Sequence, residues 1–224
     1  MKLLHLLLFV YWLGADVGTF YASRFVADSA LSPAARATAA KIMLGVDLLP
    51  RVTMPMALAT GVHLAVSLNV LPLGSAALIS AVLIGVWLLC LAWLAMVLTI
   101  HHFGSSPRGA ALVRFDFGFR VLLVLGIVVL AVPAWWGGAP AVASGMAPWL
   151  VIKLLAFAAT VACGLLIRVQ LRPFGPAFAQ LMREGSRPDT EAAIAGSIAR
   201  CKPYVIVIWV LLVVCAAAGL HLIG

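Results

Sequence analysis

Residues 75–100 read SAALISAVLIGVWLLCLAWLAMVLTI, a stretch of 26 residues that contains no charged side chain. A helix of about 20 apolar residues is long enough to cross the hydrocarbon core of a bilayer. We interpret this stretch as a transmembrane helix, because a helix that is apolar all round has to be covered by lipid or by a large core. The whole chain has the same character, since 65% of its 224 residues are hydrophobic and 10% are charged.

Five further stretches have the length and the apolar composition of a membrane-spanning helix. The six predicted spans are at about residues 3–23, 52–70, 75–100, 118–136, 148–168 and 203–222. The predicted fold class is therefore an all-α integral membrane protein, with residues 1–224 forming a single six-helix bundle in the lipid bilayer. The first apolar run continues past Asp16 to Phe20 without a small-residue cleavage site, so we interpret it as a retained span and not as a signal peptide.

Positive charge is distributed unevenly among the predicted loops. The first, third and fifth loops contain Lys and Arg, whereas the second loop, the fourth loop and the C-terminal tail contain neither. The positive-inside rule then predicts an inner (plasma) membrane protein of bacterial type with both termini outside the cytoplasm. Loop cations of this kind account for the net charge of +8, so we do not expect binding of nucleic acid.

Two of the predicted cytoplasmic loops contain signals for the start of a helix. Ser32-Pro33 provides an N-cap and a proline at the first helical position, and helix-forming residues follow to Met43. In the fifth loop, residues 188–191 start a second short helix that runs toward Pro203. These loop helices are expected either to lie on the membrane surface as connectors or to serve as a docking surface.

The first predicted span carries polar side chains on one stripe. At 100° per residue the stripe comprises His5, Phe9, Trp12, Asp16, Thr19 and Ser23. An ionisable side chain inside a span is costly and is a candidate functional residue. Two interpretations of Asp16 stay open, an ion pair with Arg51 or Arg120 and a role in proton transfer. Asp47 and Arg51 are four residues apart and can also pair with each other.

The opposite face of the first span carries Gly14 and Gly18. This GxxxG spacing allows the backbone of another helix to approach closely. The face is therefore expected to pack against a helix, and a homo-oligomer formed through Gly14 and Gly18 is one such arrangement.

Four side chains that can donate a hydrogen bond are predicted at similar depth in the outer leaflet. They come from four different spans and are His5, His63, Lys153 and His221. Individually, the two terminal histidines fit interfacial positions and Lys153 can extend its ammonium group toward water. Together they indicate a site.

Imidazole groups from two helices are the usual ligands of a haem b iron in a helix bundle. His5 and His63 are therefore the predicted metal ligands. Copper binding would favour Met and Cys beside His, and neither a Met-x-x-Met motif nor a Cys pair lies at this level of the sequence.

Three short motifs resemble a known family. Lys2-Leu3-Leu4-His5, followed by Trp12 and by Arg24 at the end of the helix, resembles HemJ-type protoporphyrinogen oxidases and the wider CopD-like membrane superfamily. The segments 51–55 (RVTMP) and 149–155 (WLVIKLL) are similar to two further helices of that family. The resemblance implies a haem b-binding bundle in which His5 is a haem ligand and Lys153 lies at the haem or is its second ligand.

The function expected from the sequence is a haem b-binding membrane protein that transfers electrons or protons. As an oxidoreductase it would use Asp16 and Lys153 as catalytic residues, with His5, His63, Lys153 and Trp12 binding the cofactor. Two other classes remain open, a transporter or permease for copper or a small anion, and a non-catalytic membrane scaffold. A Soret absorption band would distinguish the haem protein from both.

Overall fold

The computed structural model describes residues 1–71, 73–104, 106–136 and 146–223. These residues contain eight α-helices and no β-strand. The helices are α1 (Lys2–Ala27), α2 (Pro33–Val46), α3 (Leu48–Ser67), α4 (Ala76–Phe103), α5 (Pro107–Trp135), α6 (Pro148–Gln170), α7 (Phe174–Glu184) and α8 (Pro188–Gly219). The predicted all-α architecture is confirmed.

Six helical segments are long and apolar enough to cross a membrane. They are α1, the α2–α3 pair, α4, α5, α6 and α8. Each contains one of the predicted spans, but two of the helices start well before the apolar run. The α5 helix begins at Pro107, and α8 begins at Pro188. Hydropathy locates the part of a helix that suits lipid, whereas the helix itself continues as far as its backbone hydrogen bonds and caps allow.

The two predicted loop helices have different outcomes. The first is confirmed as α2, in which the Ser32 hydroxyl accepts a hydrogen bond from the Ala35 amide at 3.3 Å. The second is wrong as a separate element, because residues 188–202 are the first turns of α8 and Pro203 lies inside that helix. Buried side chains on both sides of the proline, among them Ile198 and Ile208, keep the two parts in register. The sequence did not predict α7.

The six long helices form a closed ring that follows the order of the chain. Each helix packs on the next in the order α1, α3, α4, α5, α6 and α8, and α8 packs back on α1. Large side chains fill the middle of the ring, including Trp12, Met54, Trp93, Val161 and Ile208. The short helices α2 and α7 lie at one end of the ring, against α1 and α8 respectively.

We call the end that carries α2 and α7 the basic end, and the end where α1 begins and α8 finishes the terminal end. A second apolar cluster at the basic end joins α1, α2, α7 and α8 and includes Val26, Leu181 and Ile194. The Arg36 side chain of α2 is buried there. It donates one hydrogen bond to the Val26 carbonyl at 2.9 Å and a second to Glu191 of α8 at 2.6 Å.

Candidate functional site

A cavity of about 200 Å³ lies inside the ring, in the half nearer the basic end. Its α1 wall is formed by Trp12, Asp16, Thr19 and Ser23 together with Phe20. Four of these residues belong to the polar stripe predicted from the sequence. The inner part of the stripe therefore lines a cavity, although most of the cavity wall is apolar.

The cavity wall combines apolar side chains with charges from several helices. The charged lining residues are Asp16, Asp47, Arg51, Arg120, Arg168 and Lys202. Lys202 is exposed, so the cavity reaches the molecular surface at the basic end. Four of these residues are cations and two are carboxylates, and a third carboxylate, Asp116, lies directly behind the wall.

Behind the wall, the buried carboxylate of Asp116 connects α4, α5 and α6. It accepts hydrogen bonds from Arg120 Nε at 3.0 Å, Arg168 Nη1 at 2.6 Å and Trp93 Nε1 at 3.1 Å. The Arg120 guanidinium also lies over the Trp93 ring, 5.1 Å from its centroid. We call Asp116, Arg120 and Arg168 the buried triad. It fixes two guanidinium groups on the cavity wall.

Arg120 retains hydrogen-bonding capacity that the protein does not use. Its side chain is 4% exposed, its Nη1 donates to the thioether of Met54 at 3.2 Å, and its Nη2 has no partner among the described residues. Thioether sulfur is a weak acceptor. The Thr19 hydroxyl on the opposite wall is likewise buried without a partner in the described part of the chain. Buried polar groups are normally satisfied, so both groups are available to donate hydrogen bonds to a molecule in the cavity.

Asp16 projects into the cavity without a cationic partner among the described residues. Its carboxylate accepts a hydrogen bond from Trp209 Nε1 of α8 at 3.1 Å. The interpretation of Asp16 as the ion-pair partner of Arg51 or Arg120 is wrong, because Arg51 pairs with Asp47 and Arg120 pairs with Asp116. The Asp47–Arg51 pair predicted from the four-residue spacing is confirmed.

Trp12 closes the cavity on the side of the terminal end. The indole ring is buried and meets the Phe157 ring of α6 edge-on, with 6.2 Å between the ring centroids. The tryptophan that was predicted to contact a cofactor near His5 therefore forms part of the central cavity.

At the terminal end, the His5 side chain of α1 packs against α3. Its Nδ1 lies 2.8 Å from the Thr60 hydroxyl, which itself donates a hydrogen bond to the Met56 carbonyl at 2.8 Å. With the single hydroxyl proton directed to Met56, this geometry corresponds to the tautomer in which Nδ1 donates to Thr60 and Nε2 keeps a free lone pair. The ring packs closely on Gly61, where a Cβ atom would lie 3.2 Å from Cε1.

The other three predicted outer residues have separate partners. Lys153 extends its ammonium group to the backbone of α8 at Gly219, where a Cβ atom would lie 2.8 Å from Nζ. His63 turns toward α4, where Trp87 Nε1 donates to its Nδ1 at 3.3 Å. His221 stacks edge-on with Trp149, with 4.9 Å between the centroids. The structure thus gives each of the four predicted outer residues a different neighbour.

Sequence reasoning missed Asp116 and Arg168, which complete the buried triad. Asp116 lies two residues before the predicted start of the fourth span and was assigned to a loop. One local signal could have identified it, since Asp116 and Arg120 have the same four-residue spacing as Asp47 and Arg51. No local pattern indicates that Arg168 of α6 would join them.

Comparison of the chain with protein-family models, with curated proteins and with solved structures gives no match. The proposals below therefore depend on the geometry of the chain itself.

Proposed function

We propose that this protein is a membrane permease for a small anion, which binds in the central cavity. The observation that carries the proposal is the incomplete hydrogen bonding of Arg120, a buried guanidinium on the cavity wall with one weakly bonded and one unbonded nitrogen. An anionic oxygen at this position would give Arg120 a charge-assisted hydrogen bond, about twice as strong as a neutral one.

The position of the cavity between the membrane-spanning helices supports a transport role. The cavity reaches the surface beside Lys202, and Trp12, which meets the Phe157 ring edge-on, lines it on the side of the terminal end. The polar stripe of α1 continues beyond Trp12 to His5 at the terminal end. Opening of the aromatic contact would therefore extend the cavity along α1, past Phe9, toward His5 and the opposite side of the membrane.

The composition of the wall favours a particular kind of anion. Arg120 and Arg168 provide guanidinium groups, whereas Trp12, Phe20 and Met54 provide apolar surface. Guanidinium groups match the planar geometry of a carboxylate. We infer that a carboxylate with a small apolar body, for which benzoate is a convenient probe, fits better than a fully hydrated inorganic ion.

Thermal unfolding of the purified protein with benzoate, acetate, phosphate or chloride tests the binding site. Benzoate is expected to raise the midpoint temperature in a saturable manner. Arg120→Met should abolish this shift, whereas Arg114→Met, an exposed position on the same helix, should retain it. Absence of saturable stabilisation of the unmodified protein by any of the four anions would overturn the proposal.

Uptake of labelled benzoate into proteoliposomes tests transport itself. Vesicles that contain the protein should accumulate benzoate faster than protein-free vesicles, and Arg120→Met should remove the difference. Because benzoic acid crosses bilayers unaided, the comparison with protein-free vesicles is essential. Binding without faster uptake would reduce the proposed function to anion binding.

Haem b binding at the terminal end is a second candidate, and the tautomer of His5 favours it. Metal-ligating histidines commonly donate their other ring N–H to a fixed acceptor, as His5 does to Thr60. Haem would supply one-electron chemistry at this site. His63 accepts a hydrogen bond at Nδ1, so its neutral ring carries the proton on Nε2 and lacks a free lone pair. This arrangement supports Lys153 as the partner of His5.

The absorption spectrum of the purified protein tests this candidate. A Soret band is expected, with loss or a shift of the band in His5→Ala, a severe change in Lys153→Ala and a mild one in His63→Ala. Lys153→Arg keeps the positive charge but is a poor ligand, so a retained low-spin spectrum in that variant would point back to His63. A full parental spectrum in His5→Ala would exclude His5 as a ligand.

A further inference from the structure

The deep part of the cavity has balanced charges when it is empty. Its charged groups, together with the carboxylate behind the wall, are Arg51, Arg120, Arg168, Asp16, Asp47 and Asp116. Three guanidinium groups thus face three carboxylates, while Lys202 is exposed at the mouth and is solvated. A monoanion that enters this region adds one uncompensated negative charge, which is costly where water is largely excluded.

Protonation of one of the three carboxylates can remove that excess negative charge. Asp47 pairs with Arg51, and Asp116 pairs with two arginines. Asp16 has a neutral partner, Trp209, which donates to one carboxylate oxygen. Protonation of Asp16 therefore breaks no ion pair among the described residues, and the carboxyl group can keep its hydrogen bond from the indole.

The surroundings of Asp16 are defined by the helices that wall the cavity. The charged groups that face it are Asp47 and Arg51 at the α2–α3 junction, Arg120 of α5, Arg168 of α6 and Lys202 of α8. Each of these groups, apart from the exposed Lys202, belongs to one of the pairs described above. Asp16 is thus the carboxylate whose protonation changes the charge of the cavity with the least disruption.

We propose that Asp16 is a proton-binding site coupled to the anion site, so that each monoanion binds together with one proton. The proton is transferred from hydronium or a buffer acid in the aqueous phase: the donor's bond to hydrogen breaks as the O–H bond to the Asp16 carboxylate forms, and no electrons are exchanged. This inference rests on the proposed anion permease and specifies its co-substrate. Transport of a monoanion with a proton moves no net charge, so a membrane potential alone should not drive it.

Calorimetric titration with benzoate in two buffers of different ionisation enthalpy measures the protons taken up per anion bound. The unmodified protein should take up about one proton per benzoate at neutral pH. Asp16→Asn should still bind benzoate but take up close to none. Asp189→Asn, the same change at an exposed carboxylate outside the cavity, should behave as the unmodified protein.

The pH dependence of benzoate binding gives an independent measure. Affinity for the unmodified protein should fall as the pH rises, by up to about tenfold per pH unit for one linked proton, and should be flat for Asp16→Asn. Asp16→Glu should restore the dependence, which covers the case in which the asparagine variant does not fold.

The outcomes separate this inference from the proposed function. Benzoate binding without proton uptake in the unmodified protein, or equal uptake in Asp16→Asn, would overturn the coupling and leave the anion site standing. No benzoate binding in the unmodified protein would overturn both.

Discussion

At the residue scale, burial determines what a pair of opposite charges contributes to stability. Asp116–Arg120 and Asp47–Arg51 have the same residue types and the same four-residue spacing. The side chains of the first pair are 0% and 4% exposed, and those of the second are 24% and 40% exposed. When one partner of a buried pair is lost, the other partner keeps a buried charge without a counter-ion, which is strongly destabilising. When one partner of an exposed pair is lost, water solvates the charge that remains.

The two pairs therefore provide a matched experiment. Asp116→Asn is expected to lower the free energy of unfolding by about 3–5 kcal/mol, because Arg120 and Arg168 lose their shared carboxylate. Asp47→Asn is expected to lower it by less than about 1 kcal/mol. Thermal unfolding of both variants in one detergent measures the difference. Equal effects would contradict the assignment of Asp116 to a water-excluded site.

Sequence reasoning succeeded at this scale where a residue and its neighbour share one helix. The Asp47–Arg51 pair and the polar stripe of α1 follow from helical periodicity alone. The partner of Asp16 could not be predicted, because Trp209 is 193 residues away in the sequence and local patterns carry no information about it. The buried triad was missed for the same reason at Arg168.

At the element scale, the glycine face of α1 is divided between two environments. A Cβ atom at Gly18 would lie 3.3 Å from Val46 Cγ1 of α2, whereas a Cβ atom at Gly14 would meet no atom within 4 Å. The close approach predicted from the GxxxG spacing is thus made within the chain at Gly18. Gly14 remains on the exposed face, where the homo-oligomer predicted from the sequence would have to form.

Leucine substitution at each glycine distinguishes these environments. Gly18→Leu should lower stability by about 1–3 kcal/mol, because the larger side chain has to displace Val46 or shift α2. Gly14→Leu should leave the stability of the single chain unchanged. Thermal unfolding measures the first effect and light scattering measures oligomer size. A reduced mass in Gly14→Leu would support the oligomer, and an equal loss of stability in both variants would contradict the division.

The Arg36 side chain makes the main polar contacts that hold the short helix α2 against α1 and α8. Arg36 is 1% exposed and connects α2 to the end of α1 and to Glu191 of α8. Arg36→Met is expected to cost about 3 kcal/mol, since it leaves the Val26 carbonyl without its donor and removes the cation that pairs with the Glu191 carboxylate, which keeps only the Ser186 hydroxyl. Lys41→Met, at an exposed position on the same helix, should have little effect on thermal unfolding. Similar midpoints for both variants would show that α2 is held by apolar packing alone.

At the scale of the whole molecule, composition and hydropathy predicted the class, the number of spans and their approximate positions. They did not predict which helices are neighbours. Packing of the long helices depends on complementary surfaces that are far apart in the sequence. Many apolar side chains in the centre of the ring could replace one another, so their identities do not indicate which helices are neighbours. The closing contact between α1 and α8, made by Phe20 and Asp16 against Trp209, is one such case.

The orientation in the membrane remains a prediction from loop charge. A phosphatase fused to the C-terminus should be active, and a fluorescent protein fused there should be dark, if both termini lie outside the cytoplasm. Fusions placed after Glu184 at the end of α7 provide the control and should give the opposite result. The reverse pattern would place the opening of the cavity beside Lys202 on the side of the membrane away from the cytoplasm.

The closed ring has a consequence for how freely the chain can be rearranged. Because α1 starts and α8 finishes at the same end, and the two helices are neighbours, a short Gly-Ser linker could join them. The connection between α3 and α4 lies at that same end. A circular permutant opened there would have α4 as its first helix, and each helix would cross the membrane in the same direction as before. The cavity would be rebuilt from an unchanged set of helix neighbours.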